Sequence, residues 1–179
     1  MTTSGNELTL NSDSPEATLA LGRSLGRSVE AGLVIGLIGP LGAGKTLFVR
    51  GLAEGLDVVD PRAISSPTFV LIQEYAGRLP IYHFDVYRLT STEQFAALGP
   101  EEYFEGDGVC VIEWADRVAQ LLPADRLEVR FAIQGPTSRS LSLQATGLRA
   151  TRVLARFDET LRAGSQSVSG RSGSVGSAT

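Results

Sequence analysis

The stretch Leu33-Val34-Ile35-Gly36-Leu37-Ile38-Gly39-Pro40-Leu41-Gly42-Ala43-Gly44-Lys45-Thr46 decides the fold of this 179-residue chain. Residues 33–38 form an apolar and β-branched run interrupted only by one glycine, which is typical of a buried parallel strand. Residues 39–46 satisfy the pattern GxxxxGK[ST], and residues 45–54 then carry apolar side chains at helical spacing. This order of strand, glycine-rich loop and helix is the context that the pattern requires. It predicts an α/β protein with a phosphate-binding loop, and therefore a nucleotide ligand.

Each residue type in this loop has a chemical reason. The glycines let backbone N–H groups turn inward around phosphate oxygens, and the helix N-terminus adds positive potential. Lys45 is predicted to reach the β- and γ-phosphates, and the hydroxyl of Thr46 to ligate magnesium. Lys45 is also the only lysine in a chain that otherwise uses arginine, which fits a site that needs a compact ammonium group. The predicted nucleotide-binding residues are Gly39, Leu41, Gly42, Ala43, Gly44, Lys45, Thr46 and Leu47.

The remaining sequence predicts a mixed sheet. The β-rich runs 68–75 and 79–87, and again 126–134 and 140–146, are separated by glycine-containing turns and predict two antiparallel hairpins. Because residues 33–38 predict a parallel strand, the predicted fold class is α/β, a P-loop NTPase three-layer sandwich with a mixed, partly antiparallel sheet. The other predicted elements are an edge strand 8–11, a helix 14–30, a helix opened by a Ser91–Gln94 capping box, a short segment 101–104, a strand 108–112, a helical segment 115–122 and a last helix 150–162.

One match to a known catalytic pattern is interpreted as chance. The stretch Gly22-Arg23-Ser24-Leu25-Gly26 fits the GxSxG pattern of hydrolases. That serine requires a preceding strand and a sharp turn, whereas residues 14–30 predict a helix. The chain is therefore not predicted to be a serine hydrolase.

The composition indicates a single-domain protein of a reducing compartment. With a single cysteine, Cys110, the chain forms no internal disulfide. Residues 1–163 predict a single domain, and the Ser/Gly-rich residues 164–179 a disordered tail. We expect a cytoplasmic protein without a membrane partner, because residues 1–11 do not resemble a signal peptide and no apolar run approaches the roughly 18 residues of a membrane span. A net charge of −4 argues against strong nucleic-acid binding by the chain's own field.

Two acidic residues at the ends of predicted strands are candidates for catalysis. Glu113 follows an apolar strand, where a P-loop protein places a second magnesium-directing carboxylate. Whether a glutamate there would hold the metal directly or through water stays open, as does a solvated surface role. Asp85 shares a strand face with His83 and Tyr87, and is a candidate to direct magnesium or the attacking water. The alternative is that Asp85 pairs with Arg88 or caps a turn, and His83 is interpreted as structural.

A polar loop after the P-loop helix is a candidate nucleotide sensor. Ser66 and Thr68 are the residues predicted to sense the γ-phosphate, as in P-loop proteins that switch. A plain loop with turn-forming serine and proline is the alternative. Trp114, next to Glu113, either packs beside the nucleotide or fills the core.

Several nucleotide enzymes are excluded. The only asparagines, Asn6 and Asn11, precede the loop, so an NKxD motif for guanine is absent from the sequence. A protein-kinase catalytic loop is absent too, since it needs a downstream asparagine and His83 does not begin an HRD motif. An ATPase that drives a partner and a stand-alone small-molecule kinase remain, and the kinase would need an arginine-rich lid. The sequence shows no arginine-rich lid segment, which argues against the kinase, and a lid would have to come from Arg126, Arg130 and Arg139.

Four sequence blocks together resemble the TsaE (YjeE) family, bacterial ATPases of tRNA threonylcarbamoyladenosine biosynthesis. The resemblance covers about residues 8–130. The last block departs slightly, because many members carry a proline where Ala115 stands. The blocks are Gly39-Pro40-Leu41-Gly42-Ala43-Gly44-Lys45-Thr46, Ser66-Pro67-Thr68-Phe69, His83-Phe84-Asp85-Val86-Tyr87-Arg88-Leu89 and Glu113-Trp114-Ala115-Asp116.

The resemblance implies an ATPase with ATP and Mg²⁺ as cofactors, slow alone and coupled to TsaD and TsaB. Those partners would transfer the threonylcarbamoyl group to a tRNA adenosine, while this chain would reset the complex between turnovers and meet tRNA only indirectly. By the resemblance, Lys45 and Thr46 bind phosphate and magnesium, and Glu113 assists the metal. Asp85 is needed for hydrolysis, and Thr68 lies in the sensing loop. The predicted catalytic residues are Lys45, Asp85 and Glu113, and the predicted metal-binding residues are Thr46 and Glu113.

Overall fold

The computed structural model describes residues 2–169, with side chains from residue 5 to residue 164. Over this range the chain forms eight strands and five α-helices. The strands are β1 (Thr2–Ser4), β2 (Glu7–Ser12), β3 (Val34–Ile38), β4 (Ile72–Tyr75), β5 (Ile81–Asp85), β6 (Val109–Glu113), β7 (Arg126–Ile133) and β8 (Arg139–Thr146). The helices are α1 (Pro15–Ser28), α2 (Lys45–Gly55), α3 (Thr92–Ala96), α4 (Pro100–Phe104) and α5 (Leu148–Ser169), and 3₁₀ turns cover Pro61–Ala63 and Ala115–Leu121.

All eight strands belong to one sheet in the order β1-β2-β8-β7-β3-β6-β5-β4. The central strands β7, β3, β6 and β5 are parallel, and the remaining pairs are antiparallel. The mixed sheet and both predicted hairpins are therefore confirmed. Two expectations were wrong in detail. The strand at residues 8–11 is not an edge, because β2 lies between β1 and β8, and the first hairpin begins only at Ile72, because residues 68–71 form a turn.

Helices cover both faces of the sheet, so the predicted three layers are confirmed. Alternate side chains of β3 point in opposite directions, as the pleat requires. Ile35 and Leu37 join a core with α1, α2 and α5. Val34 joins a second core with Phe95 of α3 and Val118 of the second 3₁₀ turn. No helix within residues 2–169 is long and apolar enough to cross a membrane.

Helices α1 and α2 approach each other through glycines. A Cβ atom on Gly22 would lie 2.2 Å from the carbonyl oxygen of Phe48, and one on Gly26 would lie 2.2 Å from that of Leu52. The reverse contacts, made by Gly51 and Gly55 of α2 against the backbone of α1, are equally short. The Gly22–Gly26 pair that matched the hydrolase pattern is thus a helix-packing surface, and Ser24 lies inside α1 as expected.

The predicted helix starts have mixed outcomes. Ser14 caps α1, since its Oγ accepts a hydrogen bond of 3.1 Å from the N–H of Ala17. The predicted capping box of α3 is wrong, because Ser91 makes no side-chain cap and the Oε1 of Gln94 accepts from the N–H of Thr90 instead. Helix α5 continues to Ser169, past the predicted domain end at residue 163, and residues 170–179 of the predicted tail lie outside the described residues.

Candidate nucleotide-binding site

Three neighbouring parallel strands bring the predicted site residues to one edge of the sheet. Strand β3 runs into the glycine-rich loop, β6 ends at Glu113 and β5 ends at Asp85. Asp85 and Glu113 are register partners, and Glu113 is also in register with Leu37 of β3. Carboxyl ends of parallel strands are where open α/β sheets bind ligands, so the two carboxylates and the loop share one cleft.

The loop has the backbone of a phosphate cradle. Gly42 and Gly44 adopt positive φ angles of 74° and 99°, which side chains larger than hydrogen rarely tolerate. Gly44 is the N-cap residue of α2 and has no side chain that could cap the helix. The N–H groups of its first turn therefore remain available to an anion.

Arg139 braces the outside of this loop. From the start of β8, its guanidinium donates hydrogen bonds to the carbonyl oxygens of Ala43 (3.2 Å) and Gly42 (3.1 Å). The two other arginines considered for a lid lie on β7, where Arg126 and Arg130 both pair with Glu128. The three arginines thus hold the β7–β8 hairpin and the back of the loop, an arrangement unlike a mobile kinase lid.

Lys45 is held within the loop that it is predicted to serve. Its Nζ donates to the carbonyl oxygens of Gly39 (2.7 Å) and Pro40 (3.0 Å), and lies 3.7 Å from the centroid of the Trp114 ring. Burial lowers the pKa of Lys45, an effect opposed by nearby carboxylates, chiefly that of Glu113. The ammonium group therefore lies beside the cradle.

Thr46, Glu113 and His83 form a hydrogen-bonded chain. The hydroxyl of Thr46 donates to Oε1 of Glu113 at 2.9 Å, and Nε2 of His83 lies 3.0 Å from the same oxygen. Glu113 is 3% exposed, which is against the alternative of a solvated strand-end acid. The sequence placed His83 and Asp85 on one strand face, but nothing in the spacing indicated that His83 meets Glu113.

Asp85 holds the predicted sensing loop through hydrogen bonds. Its Oδ2 accepts hydrogen bonds from the hydroxyls of Ser66 and Thr68, the latter at 2.8 Å, and its Oδ1 accepts from the N–H of Tyr87 at 2.9 Å. The carboxylate therefore caps a turn, which was one of its alternative interpretations, and also ties the loop to β5. It does not pair with Arg88, whose guanidinium lies 4.1 Å from the ring of Phe69.

Aromatic residues complete one wall of the cleft. Trp114 adopts a left-handed backbone conformation with a φ of 63°, which is unusual for a bulky residue and typical of functional sites. Its ring packs on that of Tyr87, with centroids 4.9 Å apart. Trp114 therefore borders the candidate site. Tyr87 also lies in the site, although the sequence indicated only that it shares a strand face with Asp85.

The cleft itself has a volume of about 300 Å³. It is lined by most of the predicted nucleotide-binding, sensing and acidic residues. Gly39 is absent from the lining, and its part is to accept the hydrogen bond from Lys45. The lining residues are Leu41, Gly42, Ala43, Gly44, Lys45, Thr46, Leu47, Ser66, Thr68, Asp85, Tyr87, Glu113 and Trp114.

A family model described as "Threonylcarbamoyl adenosine biosynthesis protein TsaE" matches residues 12–141 of the chain. The chain belongs to the TsaE family. This confirms the resemblance drawn from the four sequence blocks. The match contains all the predicted site residues and also Arg139, while β1 and α5 lie beyond its limits.

Individual TsaE proteins agree with the family model. The tRNA threonylcarbamoyladenosine biosynthesis protein TsaE of Treponema pallidum is 45% identical over 132 residues, 74% of this chain and 96% of that protein. The protein of the same name from Bacillus subtilis is 43% identical over 136 residues, 75% of this chain and 84% of that protein. The crystal structure of Bacillus subtilis YdiB matches with a TM-score of 0.71 at 36% identity, covering 88% of this chain and 96% of YdiB.

Proposed function

We propose that this TsaE-family chain binds and hydrolyses ATP, and thereby supports threonylcarbamoyl transfer to tRNA adenosine by TsaD and TsaB homologues. One observation carries the proposal. The phosphate loop, the Thr46–Glu113 pair and the Asp85 cluster, which lie far apart in sequence, line a single cleft. The names of the related TsaE proteins support the pathway.

The residues at the loop fit a magnesium nucleotide. Thr46 and Glu113, joined by a hydrogen bond, bring a hydroxyl and a carboxylate together, and such oxygens are the hard donors that Mg²⁺ prefers. Within the described residues no group of three or more His, Cys, Asp or Glu side chains could hold a metal by itself, so phosphate oxygens and water would complete the coordination. Bound there, Mg²⁺ would neutralise negative charge on the β- and γ-phosphates.

The protein groups would carry the rest of the reaction. Loop N–H groups and Lys45 would bind the phosphates, with Lys45 exchanging the carbonyls of Gly39 and Pro40 for phosphate oxygens. The Asp85 carboxylate would orient the attacking water and accept its proton as ADP and phosphate form. Ser66 and Thr68 are hydrogen-bonded to Asp85, so their positions would respond to the presence of a γ-phosphate.

The sensing loop also offers a route to a partner. Phe69 and Val70 follow Thr68 directly and are 82% and 66% exposed, and Leu41 of the phosphate loop is 79% exposed. Large apolar side chains exposed together beside a functional cleft are typical of interaction surfaces. Loss of the γ-phosphate would relax the region from Ser66 to Tyr75 at the interface with the partners, and so reset the complex between turnovers.

Steady-state phosphate release from ATP tests the proposal, with the chain alone and then with its TsaD and TsaB homologues. We expect slow release that rises with the partners and is lost in Lys45→Ala. Arg27→Ala, a change of an exposed cation on α1, is the matched control and should behave as wild type. An equal rate of phosphate release with and without the partners would contradict the coupled function. It would favour the small-molecule kinase, whose substrate would be sought by screening phosphate acceptors.

A further inference from the structure

His83 is a buried polar residue that takes no direct part in the proposed reaction. It is the only histidine of the chain, lies in the middle of β5 and is fully buried. Its Nε2 is 3.0 Å from Oε1 of Glu113, the oxygen that also accepts from Thr46. A single carboxylate oxygen thus receives two hydrogen bonds, one from the phosphate-loop helix and one from the neighbouring strand.

The surroundings of His83 select one form of the imidazole. The carboxylate oxygen needs a donor, so the proton must be on Nε2. Nδ1 is buried without a hydrogen-bond partner among the described residues. A proton there would leave a buried N–H unpaired, whereas a bare Nδ1 leaves only an acceptor unpaired, which is more often tolerated. The hydrogen-bond geometry therefore places a proton on Nε2, where it is donated to Glu113.

Two bonds to Oε1 leave the other carboxylate oxygen for the cleft. Oε2 of Glu113 has no hydrogen-bond partner among residues 5–164, and Glu113 lines the cleft beside Thr46. The bond from His83 restricts rotation of the carboxylate and so keeps Oε2 from turning away. The hydroxyl of Thr46 cannot do this alone, because its oxygen is itself a candidate metal ligand.

We propose, on the basis of the proposed function, that His83 is a positioning residue that holds the Glu113 carboxylate toward the phosphate loop. It acts on the magnesium nucleotide only through Glu113. Partners that orient a metal-binding side chain typically change metal affinity or activity by 10- to 100-fold when they are removed. His83 should therefore set the magnesium dependence of nucleotide binding and leave metal-free binding to the loop and Lys45.

The imidazole itself can be observed without nucleotide or metal. Because the chain has one histidine, ¹⁵N labelling of histidine yields signals from His83 alone. We expect a proton on Nε2 in the wild-type chain, and a changed Nε2–H signal in Glu113→Ala. A proton on Nδ1 with a bare Nε2 would overturn the proposal, since the bond to Glu113 would then not exist.

Two substitutions separate positioning from a purely structural role. His83→Gln can place an amide N–H near the location of Nε2, whereas His83→Asn is polar but too short to reach Glu113. Fluorescence of the only tryptophan, Trp114, reports nucleotide binding at increasing Mg²⁺ concentrations. We expect His83→Asn to raise the half-saturating Mg²⁺ concentration about 10-fold, His83→Gln to restore most of it, and ATP binding in EDTA to stay unchanged in both.

The outcomes distinguish this proposal from the proposed function. Ser28→Ala, which removes a buried hydroxyl at the end of α1, is the control and should leave the Mg²⁺ dependence unchanged. A wild-type chain that binds no ATP would overturn the proposed function and the positioning role together. Normal Mg²⁺ dependence in a folded His83→Asn chain, or equal loss of binding with and without metal in both variants, would overturn the positioning role alone.

Discussion

Asp85 combines an observed structural role with the catalytic role proposed for it. It ends β5, accepts hydrogen bonds from the sensing loop and caps the turn that carries Tyr87. An asparagine at this position would retain a carbonyl oxygen in place of one carboxylate oxygen but would lose the charge and the basicity. The geometry of the cleft should therefore largely survive the change, whereas proton transfer from water should not.

We expect Asp85→Asn to bind ATP with nearly wild-type affinity and to hydrolyse it about 100-fold more slowly, the lower part of the range for removal of a general base. Trp114 fluorescence gives the affinity and phosphate release gives the rate. Asp57→Asn is the control, because Asp57 is exposed and its φ of 58° is one that asparagine accepts. Unchanged turnover in Asp85→Asn would show that Asp85 has only its structural role.

The buried thiol of Cys110 should make the free energy of unfolding depend on pH. Burial in β6 raises the pKa of this thiol to about 12, from 9.0 in the unfolded chain, and its Sγ donates to the carbonyl of Tyr103. Between these values the unfolded chain binds fewer protons than the folded one. The contribution of Cys110 to stability is therefore fully present below pH 9.0 and is lost as the pH rises toward about 12.

Urea unfolding across this pH range measures the effect. The free energy of unfolding should fall with pH above about 9, and fall less steeply in Cys110→Ala. The slopes are compared rather than the absolute values, since the alanine also removes packing. Parallel slopes in the two chains would contradict the assignment. Thiol reagents should label native Cys110 only as fast as the chain opens.

At the scale of elements, the contact between α1 and α2 is the one that a single methyl group would disturb most. Backbone atoms of the two helices meet at Gly22, Gly26, Gly51 and Gly55, so there is no flexible side chain to move aside. This contact matters for the site because α2 begins at Lys45. A shift of α2 would move both Lys45 and Thr46.

We expect Gly22→Ala to lower the free energy of unfolding by about 3 kcal/mol, since overpacking against backbone costs at the upper end of the usual range. For a chain of this size that corresponds to a fall in melting temperature of about 6–12 °C. Gly164→Ala is the matched control, because a Cβ there meets nothing within 4 Å and α5 should be unchanged or slightly more stable. Equal melting temperatures for the two variants would argue that the helices separate without cost.

At the scale of the whole molecule, the cleft is formed by loops that follow three strands at one end of the sheet. A ligand that contacts all of these loops binds only the folded state, so it must stabilise the fold by mass action. Mg²⁺ with ATP at 100 times the dissociation constant should contribute about 2.7 kcal/mol. The melting temperature should then rise by about 5–10 °C.

Thermal unfolding with and without Mg²⁺ and ATP measures this rise. Lys45→Ala should lose most of this rise while keeping a cooperative transition, because the Lys45 ammonium contacts loop carbonyls and the Trp114 ring and is not part of the apolar core. An equal rise in wild type and Lys45→Ala would place the nucleotide elsewhere than in this cleft.

The sequence by itself determined the local architecture and the chemistry of the loop. The structure of residues 33–46 follows from local sequence. The apolar pattern predicts a buried β3, the glycines permit the positive φ angles of the loop, and the pattern GxxxxGK[ST] marks the start of α2. The same holds for the two hairpins and for the cap at Ser14. The order of the four blocks was also sufficient to identify the family.

Tertiary structure alone decided which distant residues meet. His83 contacts Glu113 because β5 lies beside β6, and Arg139 contacts the phosphate loop because the start of β8 lies beside it. No spacing along the chain encodes these contacts. The start of α5 is similar, since the carboxylate of Asp125 accepts from the N–H groups of Arg149 and Ala150 across the fold. Local signals extend over a few residues, whereas register and packing act between segments that only the folded sheet brings together.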